Sequence, residues 1–152
     1  VLFRSSKEFF ALVKSHLKDD GVMVVNMNMR GTKEGNINQY LSDTIGSVFT
    51  TEVIVDVAGS SNRELFASDD PDIGKNLTKH TGELTNANLK NMMQEVASNL
   101  TEYQKGNYIL TDDQAPVELL GMQVIDELIK DEVQYYKDIY KERGIKGLME
   151  SL

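Results

Sequence analysis

The 152-residue chain contains no cysteine, two histidines and two prolines. Without cysteine there is no disulfide framework, no thiolate metal site and no cysteine nucleophile, and the composition fits a reducing compartment. His16 and His80 lie far apart, with no ligand spacing around either, so each reads as a surface or helix-side residue rather than a metal ligand. Basic residues are the minority, 16 against 24 acidic ones, for a formal charge of −8. That balance repels a phosphate backbone and no basic patch offsets it, so no nucleic-acid partner is expected. No apolar run approaches the roughly 20 residues that cross a bilayer. The opening "VLFRSSKEFF" lacks the apolar stretch and cleavage site of a signal peptide. The chain therefore reads as soluble, with a cytoplasmic location expected. Also missing are a GxGxxG turn, a P-loop, a GxSxG elbow and an HExxH helix. "RGTKEGN" has two glycines at the wrong spacing and reads as a surface loop.

What is present is an ordinary apolar share in a chain of single-domain length, enough for a real core. "SSKEFFALVKSHLKDDG" predicts a helix: Ser5 and Glu8 stand at capping-box spacing, Phe9, Val13 and Leu17 make one stripe, and Gly21 follows as a stop. "VMVVNMNM" opens with four continuous apolar residues, the pattern of a strand covered on both faces near the centre of a parallel sheet. From Asn36, a plausible cap, Ile37, Leu41, Ile45 and Val48 return to helical spacing. "EVIVDVA" and "RELFAS" read as a hairpin closed by "GSSN". "DDPDIGKNLTKHTGE" has no period and reads as a loop. Leu89, Met92, Met93, Val96, Leu100 and Tyr103 form the stripe of a further helix starting near Thr85, with both methionines as core filler. A final helix is expected from about Pro116 to Arg143, stopped at Gly144.

Three strands, two of them a hairpin, cannot surround the buried one. The fold class expected is therefore α/β, as the C-terminal part of a larger domain whose remaining strands lie upstream or in another chain. Residues 1–70 would belong to that α/β domain, and residues 71–152 would form a helical C-terminal extension. In open α/β sheets a nucleotide-like ligand sits over a glycine-rich turn after the first strands. No such turn is present, so any cofactor-binding residues are expected outside this chain.

Three segments, "SSKEFFALVKSHLKDDGVMVVNM", "VFTTEVIVDVAGSSNRELFAS" and "LTDDQAPVELL", together resemble the C-terminal half of bacterial spermidine-synthase-like proteins. These are polyamine aminopropyltransferases with a Rossmann-like class I methyltransferase fold. "LTDDQAPVE" is the most specific piece. The resemblance implies the last helix, strand, helix and β-hairpin of that fold, followed by two long helices. It implies transfer of an aminopropyl group from decarboxylated S-adenosylmethionine, a co-substrate rather than a tightly bound cofactor, to a small amine such as putrescine. The nucleotide turn and the catalytic aspartate belong to the upstream half, so no catalytic residue carries over, and the chain alone is expected to be inactive. Val1–Arg4 stand where the preceding strand should be and do not look like it, which implies a fragment. Upstream segments of some relatives attach to the membrane. Asn26 falls where the family places a polar residue facing the reaction cleft, and Asp112, Asp113 and Glu118 fall on the acidic motif lining or closing the substrate site. "GSSNRELFAS" has no tyrosine or tryptophan where the family supplies aromatic residues for the polyamine.

The acidic motif also has a structural reading, as helix capping and dipole complementarity. Pro116 suits the first helical position, which makes Ala115 the cap and leaves both aspartates upstream of it. Three carboxylates within seven residues repel one another unless solvent, an amine or a cation relieves them. A protonated diamine would use such a cluster well. A metal is the rival ligand, but EF-hand spacing is absent and none is expected. Two other readings compete with aminopropyl transfer. One is a methyltransferase of the same fold; the other is a non-catalytic assembly module whose long last helix pairs in a homo-oligomer.

Overall fold

The computed structural model describes residues 5–28, 33–57, 60–114 and 116–151. Val1–Arg4, the first residues of "RGTKEGN" and the expected cap Ala115 lie outside them. Helix α1 spans Lys7–His16, and its cap is Ser6 rather than Ser5: Ser6 has extended backbone and its Oγ accepts from the Phe9 amide at 3.2 Å. Glu8 does not complete a capping box; its carboxylate turns instead to the Asp112 amide, 3.1 Å away. Helix α2, Ile37–Gly46, starts where expected, with Asn36 Oδ1 accepting from the Asn38 and Gln39 amides.

Strands β1 (Met23–Met27), β2 (Thr51–Asp56), β3 (Arg63–Ser68) and β4 (Thr101–Glu102) form one sheet in the order β1-β3-β2-β4. The β2–β3 hairpin is as expected, with Thr51 opposite Ser68 and Asp56 opposite Arg63. β1 is not a central parallel strand. It lies at the edge of the sheet, antiparallel to β3, with Met23 opposite Ala67 and Met27 opposite Arg63. Its apolar run is split between two faces. Met23, Val25 and Met27 pack into the core, whereas Val22, Val24 and Asn26 point the other way and are exposed, Val24 by 54%. Every pairing in this sheet is antiparallel. The architecture is thus a mixed helix-and-sheet one, compatible with an α/β fold, and the parallel neighbours expected for β1 are absent among the described residues.

Two corrections concern the second half. The stretch read as a loop contains helix α3, Ile73–Glu83. Its only buried apolar anchor is Ile73, with Leu77 half-buried beside it, too few contacts to leave a recognisable stripe. Helix α4, Ala87–Ser98, ends before Leu100 and Tyr103, and β4 follows it. α4 packs against α3 and buries no residue; Met92 is 54% exposed, so it is not core filler. Among the described residues three helices therefore follow the hairpin, where two were expected. The last, α5, runs Val117–Glu150 and is broken at Gly144, where φ is 64° and ψ −164°, a conformation that glycine adopts without strain. His16 and His80 are both exposed on helices, as read from sequence.

Two apolar clusters hold these elements together. Phe10, Met27, Ile45, Phe49, Leu65 and Ala67 join α1, α2 and the sheet. Ile37, Leu110, Leu120 and Val124 join α2 to the first turns of α5. Leu110 is fully buried between them although it belongs to neither helix. Leu110→Ala should therefore cost about 2–5 kcal/mol in denaturant unfolding, as for other cavity-forming core truncations. Leu119→Ala, on the exposed side of α5, should stay within about 0.5 kcal/mol. Equal losses for the two would show that the second cluster does not hold α5.

Candidate functional site

The acidic motif follows an extended segment that runs from β4 to Leu110 across α2. Such a segment must satisfy its amides somewhere. Here alternate ones turn to α2 side chains: Gly106 N donates to Asp43 Oδ1 (2.9 Å), Tyr108 N to Asp43 Oδ2 (3.0 Å) and Leu110 N to Thr44 Oγ1 (2.9 Å). The spacing of two is that of an extended chain, so α2 side chains serve as its neighbouring strand edge. Tyr103 Oη adds a bond to Asp43 Oδ1 at 2.8 Å, and burial followed by this bond pushes the phenol pKa up. Gly106 lets the segment lie this close, since a Cβ there would stand 2.5 Å from Asp43 Oδ2.

Immediately beyond Leu110 the chain makes a tight turn, with Thr111 N donating to Gln114 O (3.2 Å) and Gln114 N to Thr111 O (2.9 Å). Asp112 and Asp113 occupy its two central positions, both exposed. The structure ties this turn to α1: the Lys7 amide donates to Leu110 O at 2.8 Å, and the Asp112 amide donates to Glu8 Oε2. Glu8, which sequence reasoning placed only in a cap, is thus a further carboxylate at the motif. Glu118 is exposed in the first turn of α5, as expected. Helix α5 begins one residue later than read, with Pro116 at its cap position, so neither aspartate caps it. Asn26 is not brought to this group. It lies on the face of β1 away from α1 and α2, with Val24, while the acidic turn sits beside α1. Among the described residues no three His, Asp or Glu side chains converge as a metal-binding group.

Behind the segment lies a second polar feature that sequence reasoning missed. Glu52, on β2, is 1% exposed, and neither carboxyl oxygen has a hydrogen-bond partner among the described residues. Burial raises its pKa to about 8, with Lys105 opposing the rise and the Asp43 carboxyl adding to it. Lys105 itself is held by carbonyls, its Nζ donating to Phe49 O (2.7 Å) and Thr50 O (2.8 Å). The signal available in the sequence was an acidic residue opening the otherwise apolar strand "EVIV".

The sequence resemblance is met by a curated relative. The chain is 44% identical, over 97% of its length, to a protein of Bifidobacterium longum (strain NCC 2705) named "Probable polyamine aminopropyl transferase". It spans 37% of that protein's length, a share consistent with the C-terminal part expected. No family model and no solved structure matches the chain. Over nearly its whole length the chain is thus similar to a protein of that name, of which it spans little more than a third.

The buried acid gives the fold a pH dependence of definite sign. The folded chain holds the Glu52 proton between pH 4.5 and about 8, whereas the unfolded chain has released it, so stability falls as pH rises through that window. Glu52→Gln keeps the shape and removes the titration. The melting temperature of the wild type relative to this variant should fall steadily from pH 5 to pH 8.5. A constant difference across that range would show that Glu52 titrates normally.

Proposed function

We propose that this chain is part of a spermidine-synthase-like aminopropyltransferase and that its acidic turn holds the amine substrate. The observation that carries the reading is the 44% identity over 97% of the chain to a protein of that name. In the reaction, one nitrogen of a diamine such as putrescine attacks the aminopropyl methylene carbon bonded to the sulfonium of decarboxylated S-adenosylmethionine. A carbon–nitrogen bond forms, the carbon–sulfur bond breaks with its electron pair going to sulfur, and the attacking nitrogen gives up a proton. Most of that machinery lies outside this chain. Its contribution would be to hold the remote, protonated nitrogen against Asp112 and Asp113, an alignment that converts collision into a positioned attack. The exposed carboxylates at the tip of a tight turn support this, because they are open to a ligand and fixed by backbone bonds on either side. No sulfonium nucleoside should bind measurably to this chain alone. No tightly bound cofactor is invoked.

A second reading has its own observation. Leu119, Met122, Ile125, Ile129, Val133 and Tyr140 are exposed along α5, which favours an assembly module in which this helix packs on another subunit or on other parts of the protein. Soluble association would be required by that reading, whereas amine kinetics decide the first.

The substitution Asp113→Asn in the full-length protein keeps size and most hydrogen bonding and removes the charge. If the turn serves only the fold, the loss should be under about 1 kcal/mol of stability, with kinetics intact. If it holds an ammonium, loss of a charge-assisted contact of about 1.5–3 kcal/mol should raise the KM for putrescine tenfold to a hundredfold. Asp112→Asn shows which carboxylate meets the amine. Unchanged steady-state kinetics in both variants would leave the motif structural. Activity with S-adenosylmethionine in place of its decarboxylated form would instead indicate a methyltransferase.

A further inference from the structure

We propose that Asp43 and Thr44 of α2 are positioning residues for the amine: through their bonds to the segment leading into the acidic turn, they set where Asp112 and Asp113 stand. The proposal rests on the reading of that turn as the substrate site. It begins from a pattern unusual for a core helix. Ser42, Asp43 and Thr44 are consecutive and all buried, Asp43 by 99% and Thr44 completely, on a helix whose apolar neighbours Leu41 and Ile45 already face the core. Burying such groups is unfavourable unless each is bonded, and an apolar side chain would pack there at less cost. Ser42 Oγ donates to Met27 Sδ at 3.8 Å, whereas Asp43 and Thr44 both bond the segment before the turn. Both oxygens of Asp43 and the hydroxyl of Thr44 are taken by the amides of Gly106, Tyr108 and Leu110, and Asp43 receives Tyr103 Oη as well. Thr44 Oγ1 donates to Tyr40 O at 2.6 Å, which leaves its lone pair aimed at the Leu110 amide.

Leu110 connects the α2 side chains to the acidic turn. Its amide is held by Thr44, its carbonyl by the Lys7 amide at the start of α1, and its side chain is buried in the cluster under α5. Thr111 follows it and opens the turn. With Leu110 fixed on three sides, the turn has little freedom beyond its own two hydrogen bonds, and the aspartates at its tip are presented rather than left to wander. A displacement of about 1 Å at a reacting group can lower a rate on the order of a hundredfold. A small shift of Leu110 would therefore register in amine binding before it registered in overall stability.

The test uses the full-length protein and a pair of variants at one atom. Thr44→Val keeps the branched shape, removes the hydroxyl and leaves the Leu110 amide without its acceptor; Thr44→Ser restores the hydroxyl. The expected result for Thr44→Val is a rise of about tenfold in the KM for putrescine, with the KM for decarboxylated S-adenosylmethionine unchanged and faster hydrogen exchange in residues 106–114. Thr44→Ser should return all three to near wild type. Asp43→Asn, which loses one of its acceptor oxygens, should show the same kinetic split. Combining Thr44→Val with Asp113→Asn should cost no more than Asp113→Asn alone, because the two act through one contact. If Asp113→Asn raises the amine KM but Thr44→Val does not, the positioning role is overturned and the substrate site stands. Equal rises in both substrates' KM values, or exchange that quickens throughout the chain, would overturn it too, as the mark of a merely structural residue. If Asp113→Asn itself leaves the amine KM unchanged, the substrate reading fails and this proposal with it.

Discussion

The carboxylate of Asp43 is the fixed point on which much of this chain depends. It lies inside α2 and accepts three bonds from residues 60 to 65 positions further along. The segment it holds makes only brief sheet contact, at β4 and through the Tyr103 amide to Glu52 O at 3.0 Å. Without Asp43, the part-buried amides of Gly106 and Tyr108 would lose their acceptors, at a cost of about 1 kcal/mol each. The second apolar cluster would suffer as well, because Leu110 arrives there only at the end of that segment. One polar contact thus sets up an apolar one, and the apolar one seats α5.

The parts of the fold that could be read from sequence are those whose signal is local. Asn36 caps α2 because its side chain reaches amides two and three residues on, and β2 and β3 pair as a hairpin because few residues, rich in turn formers, separate them in sequence. The break at Gly144 was legible for the same reason. β1 was not, since "VMVV" states that its residues are apolar but not what covers each face. In this chain β3 pairs with it on one edge only, and Val24 faces outward. α3 escaped notice because Ile73 and Leu77 alone anchor a helix that otherwise carries polar residues.

The candidate site divides in the same way. Asp112, Asp113 and Glu118 are near in sequence, and the chain keeps them exposed around one turn and the helix start that follows. Asn26 was joined to them by resemblance, and the alternation of β1 directs it to the opposite face of the sheet. Asp43, Thr44 and Glu52 could not be read at all as partners of the motif. Their roles come from contacts across more than forty residues of chain in each case, and in sequence "SDT" looks like an ordinary polar stretch of an amphipathic helix.

Clustered carboxylates at the motif raise the question of how the chain tolerates them with no ligand bound. Two helix starts flank the turn. α1 begins beside it, tied through the Lys7 amide and through Glu8 in its first turn, and α5 begins directly after it, with Glu118 in its first turn. Each N-terminus carries partial positive charge worth about 0.3–1 kcal/mol to a nearby carboxylate, and water reaches both aspartates. Repulsion is therefore relieved in part by the fold itself and in part by solvent. The turn can stand charged and empty. Its backbone is bonded at Leu110, Thr111, Asp112 and Gln114, while both aspartate side chains stay exposed to solvent. The position of the acids is therefore set by the turn's backbone more than by their number.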